Sequence, residues 1–85
     1  MNGPLLRPCC FILTVFNPSI QAGLLLSFFE KRDILIDTFY LHKTDHAKAR
    51  MYFHILIPKD KIKYVSNLIS KMEVIEDLCV LEGRE

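Results

Sequence analysis

Two apolar rhythms alternate along this chain, one with a period of two and one of about 3.6 residues. Cys9 to Phe16 is an apolar run broken only by Thr14, rich in strand formers and ended by Asn17-Pro18. It is too short for an ordinary helix, so it predicts a central strand buried on both faces. Ser19 is placed to cap a helix. Beyond it Ile20, Leu24, Leu25, Phe28 and Phe29 recur at spacings of three and four, with Gln21, Ser27, Glu30 and Lys31 off the stripe and Asp33 at the end. Ile34 to His42 reads as extended, and Lys43 to Lys48 supplies turn residues. In Arg50 to Ile57 the alternation is strict: Met51, Phe53, Ile55 and Ile57 share one side, Arg50, Tyr52, His54 and Leu56 the other. Pro58 stops that strand, and Asp60 is positioned to cap a second helix striped by Ile62, Val65, Leu68, Ile69 and Met72. Ile75 to Leu81 predicts a last short strand, released at Gly83.

The order is β-α-β-β-α-β, with neither repeat nor linker. Two right-handed crossovers joined by a hairpin predict an α+β, ferredoxin-like sandwich: a four-stranded antiparallel sheet with two helices on one face. A chain of 85 residues has surface for a single core, so residues 9–83 are expected to form one domain behind an irregular lead-in over residues 1–8.

Such a sandwich leaves one sheet face bare. With Met51, Phe53 and Ile55 turned to the helices, Tyr52, His54 and Leu56 face outward. Placing Ile34, Ile36 and Tyr40 inward sends Leu35, Phe39 and Leu41 out with them, and the last strand adds Cys79 and Leu81. Asp37, Arg50 and Asp77 mix charge into this surface. Large apolar groups gathered on one face mark a binding surface, and Leu35, Phe39, Leu41, Tyr52 and His54 are the candidate interface to a protein partner.

Charge and candidate chemistry narrow the picture. A net charge of +1 without a cationic cluster argues against general binding to nucleic acid or to an anionic membrane. The apolar run near the N-terminus is too short to span a bilayer and lacks a small-residue cleavage site, so a cytoplasmic location is expected. Three cysteines, Cys9, Cys10 and Cys79, are an odd number without a CxxC spacing and read as small buried hydrophobes. His42, Asp45, His46 and His54 lack a metal-ligand spacing, so no metal site is expected. No Arg or Lys lies between Cys9 and Glu30 to hold phosphate after the first strand, which excludes acylphosphatase-like chemistry. The third strand lacks the basic-Gly-aromatic pattern of RNA-recognition modules. No serine has a neighbouring histidine, and no catalytic set is visible.

Three stretches carry a family resemblance: "ILTVFNPS", "LLLSFFEKRDILIDTFYL" and "VSNLISKMEVIEDLCVLEG". Together they make the chain similar to an ACT domain, the small regulatory module of amino-acid metabolism. More narrowly, it resembles the short, single-domain small subunit of acetolactate synthase (acetohydroxyacid synthase), and some members share Phe16-Asn17-Pro18.

The resemblance implies a non-catalytic regulatory subunit of branched-chain amino-acid biosynthesis that activates a catalytic subunit. Thiamine diphosphate, magnesium and FAD belong on that partner, and none is expected on this chain. It also implies a homodimer formed side by side at a sheet edge. In effector-binding members the loop after strand one holds an amino-acid carboxylate, so the candidate effector loop is Asn17, Pro18, Ser19 and Ile20, with Leu35 opening strand two. Asn17 matches the family's first Asn. Ile20 stands where a Gly permits close approach, Leu35 replaces a second Asn, and Pro18 removes a backbone donor. Valine binding is therefore not expected. The alternatives are a stand-alone ACT-like amino-acid sensor and an unrelated ferredoxin-like interaction module.

Overall fold

The computed structural model describes residues 5–45 and 47–83. Strand β1 (Leu6–Phe16) leads into helix α1 (Pro18–Lys31), followed by β2 (Leu35–Lys43), β3 (Lys48–Pro58), a 3-10 turn over Lys59–Lys61, helix α2 (Ile62–Ser70) and β4 (Ile75–Glu82). The sheet order is β2-β3-β1-β4, every pairing antiparallel. This is the expected ferredoxin-like sandwich. The lead-in is shorter than its prolines suggest, because Leu6, Arg7 and Pro8 already pair with Pro58, Ile57 and Leu56. Residues 1–4 of that lead-in lie outside the described residues.

The core fills the space between the helices and one sheet face. Cys9, Phe11, Leu13 and Val15 of β1 and Met51, Phe53, Ile55 and Ile57 of β3 point into it, meeting Leu25 and Phe29 of α1 and Ile62, Val65 and Ile69 of α2. All are apolar, and no polar or charged residue is buried among the described residues.

Helix α1 sits differently from its stripe. Ile20 and Leu24 are 65% and 60% exposed, while Ala22 and Leu26 pack against the core in their place. The run Leu24-Leu25-Leu26 gives this helix apolar side chains nearly all round, so periodicity alone could not select the buried face. Its start also moves: Asn17, in the left-handed region at φ 53°, is the N-cap, with Pro18 in the first turn and Ser19 exposed. Asp60 lies in the 3-10 turn, and α2 begins without a side-chain cap.

The C-terminus of α1 is closed by backbone geometry. Asp33 adopts φ 58°; its N–H donates to the Glu30 carbonyl, and the N–H of Ile34 to that of Phe29, both at 3.1 Å. This is a Schellman closure, and the Phe29–Ile34 contact inside the core completes it. A left-handed conformation is costly for a residue with a Cβ. Replacing Asp33 with Gly should therefore raise unfolding stability by about 0.5–1 kcal/mol in a urea titration. Unchanged or lowered stability would show that the aspartate side chain contributes to the closure.

Candidate functional site

The open sheet face is best described row by row, since directly paired residues share a face. At one end Leu35, Leu56 and Pro8 lie side by side; next come Thr38, His54, Cys10 and Leu81, then Tyr40, Tyr52, Ile12 and Cys79. Then come His42, Arg50, Thr14 and Asp77, and beyond them Phe16 beside Lys48. Leu35, Tyr40 and Leu81 are each more than half exposed.

Phe39, Leu41 and Tyr40 depart from the expected alternation. The register of β2 against β3 shifts between Ile36 and Thr38, leaving Asp37 as a bulge. Beyond it Phe39 pairs with Phe53 and Leu41 with Met51, both on the helix side, whereas Tyr40 pairs with Tyr52 on the open face. Phe39 packs against the core with its ring 4.8 Å from that of Phe53. One extra residue reverses every side chain that follows, and a strict period of two cannot show it. Leu35, Tyr52 and His54 are on the open face as expected, and Tyr40 joins them.

A cleft of about 370 Å³ opens on this face, lined by Pro8, Cys10, Asp37, His54, Leu56 and Leu81 among others. Within it the Cys10 Sγ lies 3.8 Å from the His54 Nε2. The two are 44 positions apart and meet only through the β1–β3 register, so spacing along the chain held no sign of them. A thiol beside an imidazole can serve as a nucleophile when its pKa is lowered. Here the reverse holds: burial, and secondarily Cys79, push the Cys10 thiol up. Cys9 is pushed up too, by burial first and then by the Glu82 carboxylate. Both shifts run against activation of a thiol nucleophile.

The cysteines are all free but not all buried: Cys9 is buried, Cys10 intermediate and Cys79 exposed. Among the described residues no three His, Cys, Asp or Glu side chains gather as metal ligands. His46 lies outside those residues. Asp45 instead closes the β2–β3 turn, its Oδ1 accepting the N–H of Ala47 at 2.7 Å and of Lys48 at 3.0 Å.

The candidate effector residues do not converge. Asn17 follows the Phe16–Lys48 pair at one end of the sheet, while Leu35 pairs with Leu56 near the other. Those two rows are about 27 Å apart along β3 at 3.3–3.4 Å per residue. The helix N-terminus is also largely occupied. Pro18 has no N–H, and those of Ile20 and Gln21 donate to the Asn17 carbonyl at 3.2 Å. The Asn17 N–H is itself tied to the Ala47 carbonyl at 3.1 Å.

No family model matches the chain, and no curated protein matches it in sequence. A solved structure does. The C-terminal domain of the MgtC protein from Mycobacterium tuberculosis aligns with a TM-score of 0.74, covering 98% of this chain and 94% of that one at 10% identity. The likeness is one of fold. The shared form is the ferredoxin-like sandwich. Among the described residues no helix is long and apolar enough to cross a membrane.

Burial and raised pKa together rank the thiols. A disulfide-exchange reagent at neutral pH should label Cys79 first and Cys10 more slowly, with Cys9 reacting only on unfolding. The Cys10 rate should still climb as pH rises past the ordinary thiol range, because only the thiolate reacts. Fast labelling of Cys10 below that range would contradict this picture.

Proposed function

We propose that the chain is a non-catalytic regulatory module that acts by protein–protein association through the open face of its sheet. The supporting observation is the make-up of that face: Leu35, Tyr40 and Leu81 are exposed and Leu56, Tyr52 and Ile12 half-buried, on the side of the sheet away from the helices. Apolar, aromatic-rich fields of this kind are interface material. The only nucleophile–imidazole contact among the described residues, Cys10 with His54, has its thiol pKa moved the wrong way for catalysis.

The sequence resemblance suggests which partner to test, the catalytic subunit of acetolactate synthase. On this reading the chain binds the active arrangement of that enzyme more tightly than the inactive one and so raises its rate. Thiamine diphosphate, magnesium and flavin stay with the partner. The placing of Asn17 and Leu35 at opposite ends of the sheet supports a module that does not respond to valine.

Acetolactate formation by the catalytic subunit should rise several-fold on adding this chain, and valine should leave the rise untouched. A rise abolished by valine would contradict the effector-blind reading. No rise and no co-elution would remove this enzyme as the partner and turn the search to other catalytic chains.

A further inference from the structure

The open face carries a pattern more specific than exposure. Two largely apolar rows, Leu35–Leu56–Pro8 and Tyr40–Tyr52–Ile12–Cys79, flank the mixed row Thr38–His54–Cys10–Leu81; beyond them lie the polar row His42–Arg50–Thr14–Asp77, with a cation on β3 and an anion on the far edge strand β4, and the Phe16–Lys48 pair. Asp37 borders the field at the opposite edge. An apolar centre with charge confined to a margin is how protein interfaces are built.

We infer that the occupant of this face is a second copy of the chain, stacked sheet on sheet about a two-fold axis parallel to the strands. This rests on the association reading above and names the partner that holds that face in the isolated chain, so a catalytic subunit that used the same face would compete with the second copy for it. A two-fold interface must be self-complementary. With the axis parallel to the strands, each row falls on its own counterpart. Leu56 then meets the partner copy's Pro8 and Tyr52 its Ile12, while His42 lies over Asp77 with Arg50 one strand away. An axis across the strands would instead lay the charged row over Leu35, Leu56 and Pro8, burying charge against apolar groups. Only the first arrangement satisfies both the apolar and the charged positions, and it corresponds to the aligned packing of sheet pairs.

The sheet edges point the same way. β2 is bulged at Asp37, and the register of β1 against β4 shifts between Thr14 and Val15, leaving the acidic Glu76 as the extra residue there. Bulges and charges at an edge strand discourage strand-to-strand addition. Four strands about 4.8 Å apart, crossed by rows about 7 Å apart, make a field of roughly 500 Å² per copy. Two copies bury roughly 1,000 Å², the lower bound for a specific interface, so the dimer should be of micromolar strength.

Sedimentation velocity on the intact chain over a concentration series tests this directly. The wild type should shift from monomer to dimer in the micromolar range. Tyr52→Glu should weaken the dimer by at least about tenfold. Arg50 and Asp77 are both exposed, so exchanging them leaves the fold alone. Arg50→Asp or Asp77→Arg should each weaken the dimer about three- to tenfold, and the double exchange should restore most of the affinity. A chain that stays monomeric at millimolar concentration overturns the inference, as does a dimer indifferent to all four variants. A monomer that still activates a catalytic partner overturns the dimer while leaving the association reading standing.

Discussion

One side chain ties helix α1 to the two central strands of the sheet. The ring of Phe29 stands edge-on to Phe11 at 5.7 Å and 83°, tilts over Phe53 at 5.0 Å and meets Phe28 at 5.5 Å. Phe53 passes the contact on to Phe39 of the edge strand. The same residue's carbonyl accepts the N–H of Ile34 in the closure of α1, so its backbone sets where the helix stops and β2 begins. Truncating such a phenylalanine to alanine typically costs about 3–5 kcal/mol. That is a large part of the roughly 4–13 kcal/mol expected for a domain of this size. Helix position, sheet register and the direction in which β2 leaves the helix all converge on this contact.

Because both helices and the inward strand positions serve that single core, none of the described elements covers the other face. Here the uncovered rows keep aromatic and aliphatic side chains where a purely solvated face would carry lysines and glutamates. The edges are treated differently, with an acidic bulge residue interrupting each outer strand. The edges thus carry features that oppose strand addition while the face stays available, a division consistent with the association proposed above.

Much of this was legible from the apolar rhythm. The alternation in β3 placed Met51, Phe53, Ile55 and Ile57 inward correctly, because a strand buried on one face has no other register. Element order and the two-crossover topology followed from the same pattern. Four features did not. The Asp37 bulge turned Phe39 inward and Tyr40 outward, and a one-residue slip leaves no mark in composition. Helix α1 is apolar on too many sides for spacing to tell Leu24 from Leu26. The Cys10–His54 contact depends on strand pairing across 44 positions. The resemblance to effector-binding ACT domains grouped Asn17 with Leu35, and strand direction sets those residues at opposite ends of the sheet.

The most direct test of the open face as the working surface is a dilution series followed by backbone amide NMR. Concentration-dependent shifts should fall on the rows through Tyr52, Ile12, Cys10, His54 and Arg50, with the outward helix positions Ile20 and Leu24 unmoved. Shifts confined to Ile20, Leu24 and the outer edge of β2, with the Tyr52–Ile12 row silent, would contradict it.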